Sequence, residues 1–159
     1  MQRELRNCLG KFATGVMIAC GLDKETNQPF GLTINSFASV SLNPPLVSFC
    51  IGSESSNLEL FKRNQNFSLN ILSENQIKLA KEFALAHNSS KWQTEDYYFG
   101  EFASPIFKNS LAFLECKIFK IIEAGDHQVI IGEVVDFDKL NSDKKPLIYY
   151  SSTFSSIAS

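Results

Sequence analysis

The segment Val129-Ile130-Ile131-Gly132-Glu133-Val134-Val135 is apolar throughout apart from Gly132 and Glu133. In a strand, successive side chains point to opposite faces. Val129, Ile131 and Val135 therefore stand opposite Ile130 and Val134, and both faces are apolar. Such a strand has to be covered on two sides, by its own chain or by a second subunit, because an open apolar face is a liability for a small protein. This points to a homodimer with residues 128–137 at or near the interface.

Other short apolar runs surround this one. Val16 to Cys20 reads as a buried strand, Phe30 to Thr33 as a second, and Leu46 to Ile51, after the breaker Asn43-Pro44-Pro45, as a central strand. Phe67 to Leu72 and Pro146 to Tyr150 follow the same pattern. Leu111 to Ile122 alternates, with Ala112, Leu114, Cys116, Ile118 and Ile122 on one face and Glu115 and Lys117 on the other. Helical spacing is limited. Leu5, Cys8, Leu9 and Phe12 make a short opening helix, and Ile77, Ala80, Phe83 and Ala84 line another behind Ser73 and Gln76. Ser56, with Glu59 three residues on, caps a third over Asn57 to Arg63. The segment from His87 to Asn109 reads as a long polar and aromatic loop of the kind that is usually functional. Several strands, regular turns and few helices predict a mainly β chain with flanking helices, as one domain over residues 1–159.

Composition narrows the function classes. Fifteen Lys and Arg against seventeen Asp and Glu, with no basic stripe, give no electrostatic footprint for nucleic acid. No apolar run approaches the roughly 20 residues of a membrane helix, and the N-terminal residues lack the apolar stretch of a signal peptide. The expectation is a soluble, cytoplasmic protein that uses neither nucleic acid nor membrane. The four cysteines, Cys8, Cys20, Cys50 and Cys116, are scattered among apolar neighbours and read as reduced and buried. With only two histidines, His87 and His127, and no clustered ligands, no metal is expected.

No familiar motif for acid–base hydrolysis, a P-loop or a dinucleotide fingerprint is present. Three polar stretches remain. Thr33-Ile34-Asn35-Ser36-Phe37-Ala38-Ser39-Val40-Ser41 mixes hydroxyl, amide and apolar groups, which suits a flat ring with polar edges; it also suits an ordinary Ser-rich turn. Ser53-Glu54-Ser55-Ser56-Asn57 lies between a strand and a helix, which suits a phosphate at a helix N-terminus; it equally suits plain capping, and Glu54 would repel an anion. Gly125-Asp126-His127 presents a histidine on a turn, either for a ligand or as turn chemistry alone.

Taken in order, further segments join these stretches. They are Phe12-Ala13-Thr14-Gly15-Val16, Gly31-Leu32-Thr33-Ile34-Asn35-Ser36-Phe37, Ser39 to Val47, Phe67-Ser68-Leu69-Asn70-Ile71-Leu72, Leu111 to Cys116, Gly125-Asp126-His127, Ile131-Gly132-Glu133-Val134 and Pro146 to Tyr150. Across nearly the whole chain, this succession resembles the flavin reductase-like, FMN-binding split-barrel family, in particular the small reductase components of two-component flavin monooxygenases. The resemblance implies a six-stranded split β-barrel that binds flavin, usually as a homodimer. It implies an NAD(P)H:flavin oxidoreductase that passes hydride to FMN or FAD, with NADH favoured over NADPH, and supplies reduced flavin to a partner monooxygenase. Thr33, Asn35 and Ser36, with Ile34 between them, would meet the isoalloxazine edge. Ala38, Ser39, Val40 and Ser41 would line the ring and ribityl chain. Cys50, Ile51, Ser53, Ser56 and Asn57 would surround the phosphate. His127 would position the nicotinamide, with Tyr149 and Tyr150 closing that side. Lys91-Trp92 stands where relatives often carry Arg-Phe, so Lys91 keeps the charge but not the bidentate fork. Ser104 to Asn109 stands where relatives favour glycines. Two other readings stay open, a flavoprotein that retains its flavin and reduces another acceptor, and a flavin-binding module without enzymatic activity.

Overall fold

A computed structural model describes residues 1–85 and 89–158, without the side chains of 89 and 90. His87 lies outside the described residues. The elements run α1 (Gln2–Leu9), β1 (Thr14–Gly15), β2 (Met17–Asp23), β3 (Gln28–Ile34), β4 (Ala38–Leu42), β5 (Pro45–Gly52), α2 (Ser56–Asn64), β6 (Asn66–Ile71) and α3 (Ile77–Ala84). They continue with β7 (Tyr97–Phe99), β8 (Pro105–Phe107), β9 (Ala112–Ala124), β10 (His127–Lys139), β11 (Leu147–Tyr150) and β12 (Thr153–Ser156). No described helix is long and apolar enough to cross a membrane.

One antiparallel sheet dominates, in the order β3-β2-β6-β9-β10-β5-β4. It has seven strands where six were expected. The additional strand is β4, which the sequence presents as a Ser-rich polar stretch. Small residues tolerate an exposed, extended edge, and the turn at Asn43-Pro44 folds β4 back so that Leu42 pairs with Pro45 and Ala38 with Ser48. No ladder joins β3 to β4 or β5 among the described residues, so the sheet is open there. It is nonetheless curled, because Phe30 of β3 and Phe49 of β5 both meet Phe61 of α2, with ring centroids 5.0 Å and 5.5 Å away. Helix α2 thus plugs the gap between the two ends of the sheet. Edge-to-face ring pairs of this kind add to the area term of burial.

Two cores lie on either side of β2. Met17 and Ala19 face inward with Phe49, Phe67, Leu69 and Ile130. Ile18 and Cys20 face the other way, toward Leu79, Ala80 and Phe83 of α3, Trp92 and Phe107. The continuous apolar run at 16–20 is therefore a strand buried on both faces, as read.

Four local expectations change, the first being the long loop read from His87 to Asn109, within which β7 and β8 pair as a hairpin. Ser55, not Ser56, caps α2; its Oγ accepts from the Asn57 N–H at 3.3 Å, while Glu59 turns outward to Lys62. The capping box read between Ser73 and Gln76 does form. On α3 the core-facing set is Leu79, Ala80 and Phe83, whereas Ile77 and Ala84 are exposed. On β9, Glu115 is fully buried rather than on a solvent face, because the hairpin β7–β8 and its turn cover it. Cys20 and Cys116 are buried as expected, and burial pushes both thiols up to about 12. Cys8 is exposed and Cys50 half-buried.

Candidate functional site

Strand β3 ends at Ile34, and the chain then crosses to β5. That crossing is fixed by Ser36, whose Oγ accepts from the Cys50 N–H at 2.9 Å and donates to the Cys50 carbonyl at 3.3 Å. The hydroxyl acts as a strut between strands, and is therefore committed within the protein. Thr33 is likewise committed as a donor, to the Ala80 carbonyl of α3 at 2.7 Å. Asn35, between them, is exposed and free to bind.

Two cavities meet at Thr33, Ala84 and Leu85. The larger, about 750 Å³, is walled by Ile34 and Asn35, by Lys81 and Glu82 of α3, and by Tyr149 and Phe154 of the β11–β12 hairpin. The smaller, about 310 Å³, lies against the start of α2 and is lined by Glu54, Ser55, Ser56, Asn57 and Phe83. Lys91 packs beside it with its Nζ 4.2 Å from the centre of the Phe83 ring, a cation–π arrangement. Burial lowers the Lys91 pKa, and the nearby Glu82 carboxylate acts against that shift. Both the Lys91 ammonium and the Asn57 Oδ1 are closed from solvent and have no hydrogen-bond partner among the described residues. Leaving such groups unpaired is costly. A buried cation on the Phe83 ring and an acceptor at the start of α2 suit a group that carries both an anion and hydroxyls, as a ribityl phosphate does, while the Glu54 carboxylate on the cavity wall opposes an anion. The residues present thus fit a flavin.

His127 opens β10 after a two-residue turn in which Gly125 takes φ 65°. Its Nδ1 lies 2.7 Å from Asp126 Oδ1, and that hydrogen bond holds the Asp126 carboxyl below its usual range. Across the ladder His127 pairs with Gly52, and the Ser53 N–H donates to the Asp126 carbonyl at 2.9 Å. Two of the polar stretches, 53–57 and 125–127, are therefore neighbours at one end of the sheet.

The structure does not gather the whole expected set. Ala38, Ser39, Val40 and Ser41 run along the edge strand outside both cavities. Ile51 points into the core, so only its backbone can face a ligand. Tyr150 is exposed under Lys11, and Tyr149 is the tyrosine that lines the larger cavity. Residues of that cavity which the sequence did not single out are Lys81, Glu82, Leu85, Ser152, Thr153 and Phe154. The last three follow a turn at Ser151-Ser152 with positive φ angles of 46° and 62°, which serine seldom adopts, so the sequence carried no cue to this hairpin. Among the described residues, no cluster of three His, Cys, Asp or Glu side chains could hold a metal.

The family model for the flavin reductase like domain matches residues 9–158. The flavin reductase of Pseudomonas putida is 32% identical over 153 residues, covering 96% of this chain and 88% of that protein. A Rhizobium meliloti relative is 40% identical over 136 residues, but the chain spans only 43% of that relative's length. Among solved structures, nitrilotriacetate monooxygenase component B from Mycobacterium thermoresistibile superposes with a TM-score of 0.93 at 32% identity, over 99% of this chain and 87% of that one. The NADH:FAD oxidoreductase of Streptomyces globisporus, solved with NAD and FAD fragments, gives 0.91 at 32% identity, over 99% of this chain and 93% of that one.

Proposed function

The chain belongs to the flavin reductase-like family, and from that premise we propose how its site works. It is an NAD(P)H:flavin oxidoreductase. When both cofactors are bound, the nicotinamide supplies a hydride that the flavin ring accepts. The protein's share is to bind the two rings, hold them in contact and keep water away. The observation that carries this reading is the small cavity where Thr33 meets the start of α2 over Phe83, with Lys91 held on that ring.

In this arrangement Lys91, Ser53, Ser56 and Asn57 hold the flavin phosphate. Asn35, with the backbone of Thr33, Ile34 and Ser36, meets the ring edge. The ribityl chain passes the half-buried Cys50 and the backbone of Ile51, and the edge strand Ala38 to Ser41 flanks the ring. His127 positions the nicotinamide rather than removing a proton, which accounts for the absence of an acid–base pair in the sequence. Relatives named FMN reductase (NADH) and NADH-dependent FAD reductase support FMN or FAD as acceptor and NADH as donor. Reductase subunits of flavin-dependent monooxygenases among the relatives support delivery of reduced flavin to such a partner. The half-buried outer face of β5 and β10, where Val129 pairs with Cys50 and Ile131 with Ser48, supports a homodimer closed over that face. Residues 1–159 make one domain, curled as a split barrel, working in the cytoplasm, where its cysteines stay reduced.

The test is NADH oxidation by the purified protein with added free FMN, FAD or riboflavin. Turnover of many flavins per subunit is the expected result. Flavin binding without NADH oxidation would reduce the protein to a binding module. Oxidation that ignores added flavin would make it a flavoprotein that keeps its cofactor.

A further inference from the structure

The hairpin β7–β8 lies outside the cavities, yet it is fastened to the sheet by side chains rather than by a strand ladder. Asn70 of β6 is fully buried. Its Oδ1 accepts from the Phe107 N–H at 2.9 Å, and its Nδ2 donates to the Pro105 carbonyl at 3.2 Å. One side-chain amide thus takes both the donor and the acceptor that a neighbouring strand would have taken. Ser68 Oγ and Cys20 Sγ also donate to the Pro105 carbonyl. At the far end, the buried Glu115 carboxylate accepts from the Phe102 N–H at 3.2 Å and the Ser104 N–H at 3.3 Å, and so gathers the turn around itself. It has no salt-bridge partner among the described residues, and a side chain added at Gly100 would overlap it. Hydrogen bonds to a charged, buried acceptor are the strong kind, and a half-satisfied network of this sort costs more than an apolar one.

What the hairpin holds is an aromatic stack. Phe107 lies parallel to Trp92 at 5.6 Å and edge-on to Phe83 at 5.5 Å, and Trp92 meets Phe83 at 4.8 Å. Phe83 is the ring that lines the small cavity and carries the Lys91 ammonium. We infer that Asn70 and Glu115 are positioning residues for the cofactor site, acting through the hairpin and the Phe107–Trp92–Phe83 stack to set where Lys91 sits. The cofactor half of this inference rests on the reading of the small cavity as the flavin phosphate site. Neither residue touches that cavity. Their effect is on how far Lys91 is pre-organised, and loss of pre-organisation appears in affinity.

Trp92 is the single tryptophan of the chain, so the stack carries its own probe. Glu115→Gln replaces an acceptor oxygen with an amide donor facing the turn's N–H groups, and Asn70→Ala releases β8. In both, far-UV circular dichroism should be retained and the Trp92 emission should move to the red. The Kd for FMN, read by titration, should rise about tenfold, while kcat at saturating flavin stays within about twofold. Phe107→Leu, which keeps the hairpin but removes the ring, should reproduce the affinity loss, and with Glu115→Gln it decides the matter if Asn70→Ala does not fold. Unchanged Trp92 emission in folded Glu115→Gln overturns the inference with or without flavin. A shifted emission with an unchanged Kd overturns the link to the cofactor. A wild-type protein that binds no flavin overturns the functional reading and the cofactor half of this inference, while the emission arm still decides whether the hairpin holds the stack.

Discussion

Strands β2 and β10 share one sequence signature, apolar residues on both faces, and the fold answers it in two ways. In β2 the chain supplies both covers. Ile18 and Cys20 are fully buried under α3 and the aromatic stack, and Ala19 is fully buried in the curl of the sheet. In β10 the chain supplies one. Ile130 is fully buried, while its neighbours Val129 and Ile131 remain half-buried on the outer side. The pattern of residues states that a strand needs two covers, and says nothing about where the second comes from. A strand finished within the chain is scaffold. A strand with one half-buried face keeps apolar area that a second cover would still remove from water.

This contrast can be broken by experiment. Ile18→Ala should cost about 3 kcal/mol of folding stability, as large-to-small changes in a closed core do. Urea unfolding would measure it, and the loss should not depend on protein concentration. A cost below about 1 kcal/mol would mean that β2 is not sealed on that side. Ile131→Asp addresses the open side. A carboxylate set into an interface should raise the dimer dissociation constant about thirtyfold, or about 2 kcal/mol, with the monomer still folded. Sedimentation would show it, and a wild-type protein that is already monomeric at micromolar concentration with flavin present removes the second cover altogether. His127→Ala sharpens the comparison at the smallest scale, at the point where β10 begins. It should lower kcat/KM for NADH about tenfold and leave FMN affinity almost unchanged. Normal NADH kinetics would return His127 to the role of a turn residue. Loss of flavin binding as well would place it in the flavin site or in the fold.

Much of this architecture can be read before any coordinates. The strands at 16–20, 46–51, 67–72 and 128–137 are legible because their apolar runs are short and rich in Val, Ile and Phe. The site is only partly legible, and the misses share a cause. Ser36, Thr33 and Glu115 carry polar groups that suit a ligand or solvent equally well, and only tertiary contacts show that all three are spent inside the protein. Ile77 and Ala84 have helical core spacing, yet they face a cavity, because α3 packs on one side only. Conversely, Lys91 stands out in sequence only through its family setting, and its burial over Phe83 is invisible without the fold. The edge strand β4 was hidden by its serines, since small polar residues carry little strand propensity of their own.

The pairing order of the sheet has a consequence for how the protein comes to be active. Strands β9 and β10 are joined by a two-residue turn and form a long hairpin from purely local contacts. The other neighbour of β10 is β5, which lies far back in the chain, with α2, β6 and α3 between them. Closing so large a loop is entropically expensive and is characteristically slow. Yet it is this long-range pairing that sets His127 beside Gly52 and Ser53 beside Asp126. The β9–β10 hairpin rests on local contacts and the β5–β10 ladder on long-range ones, so the meeting of residues 52–53 with 126–127 depends on the kind of contact that slows folding.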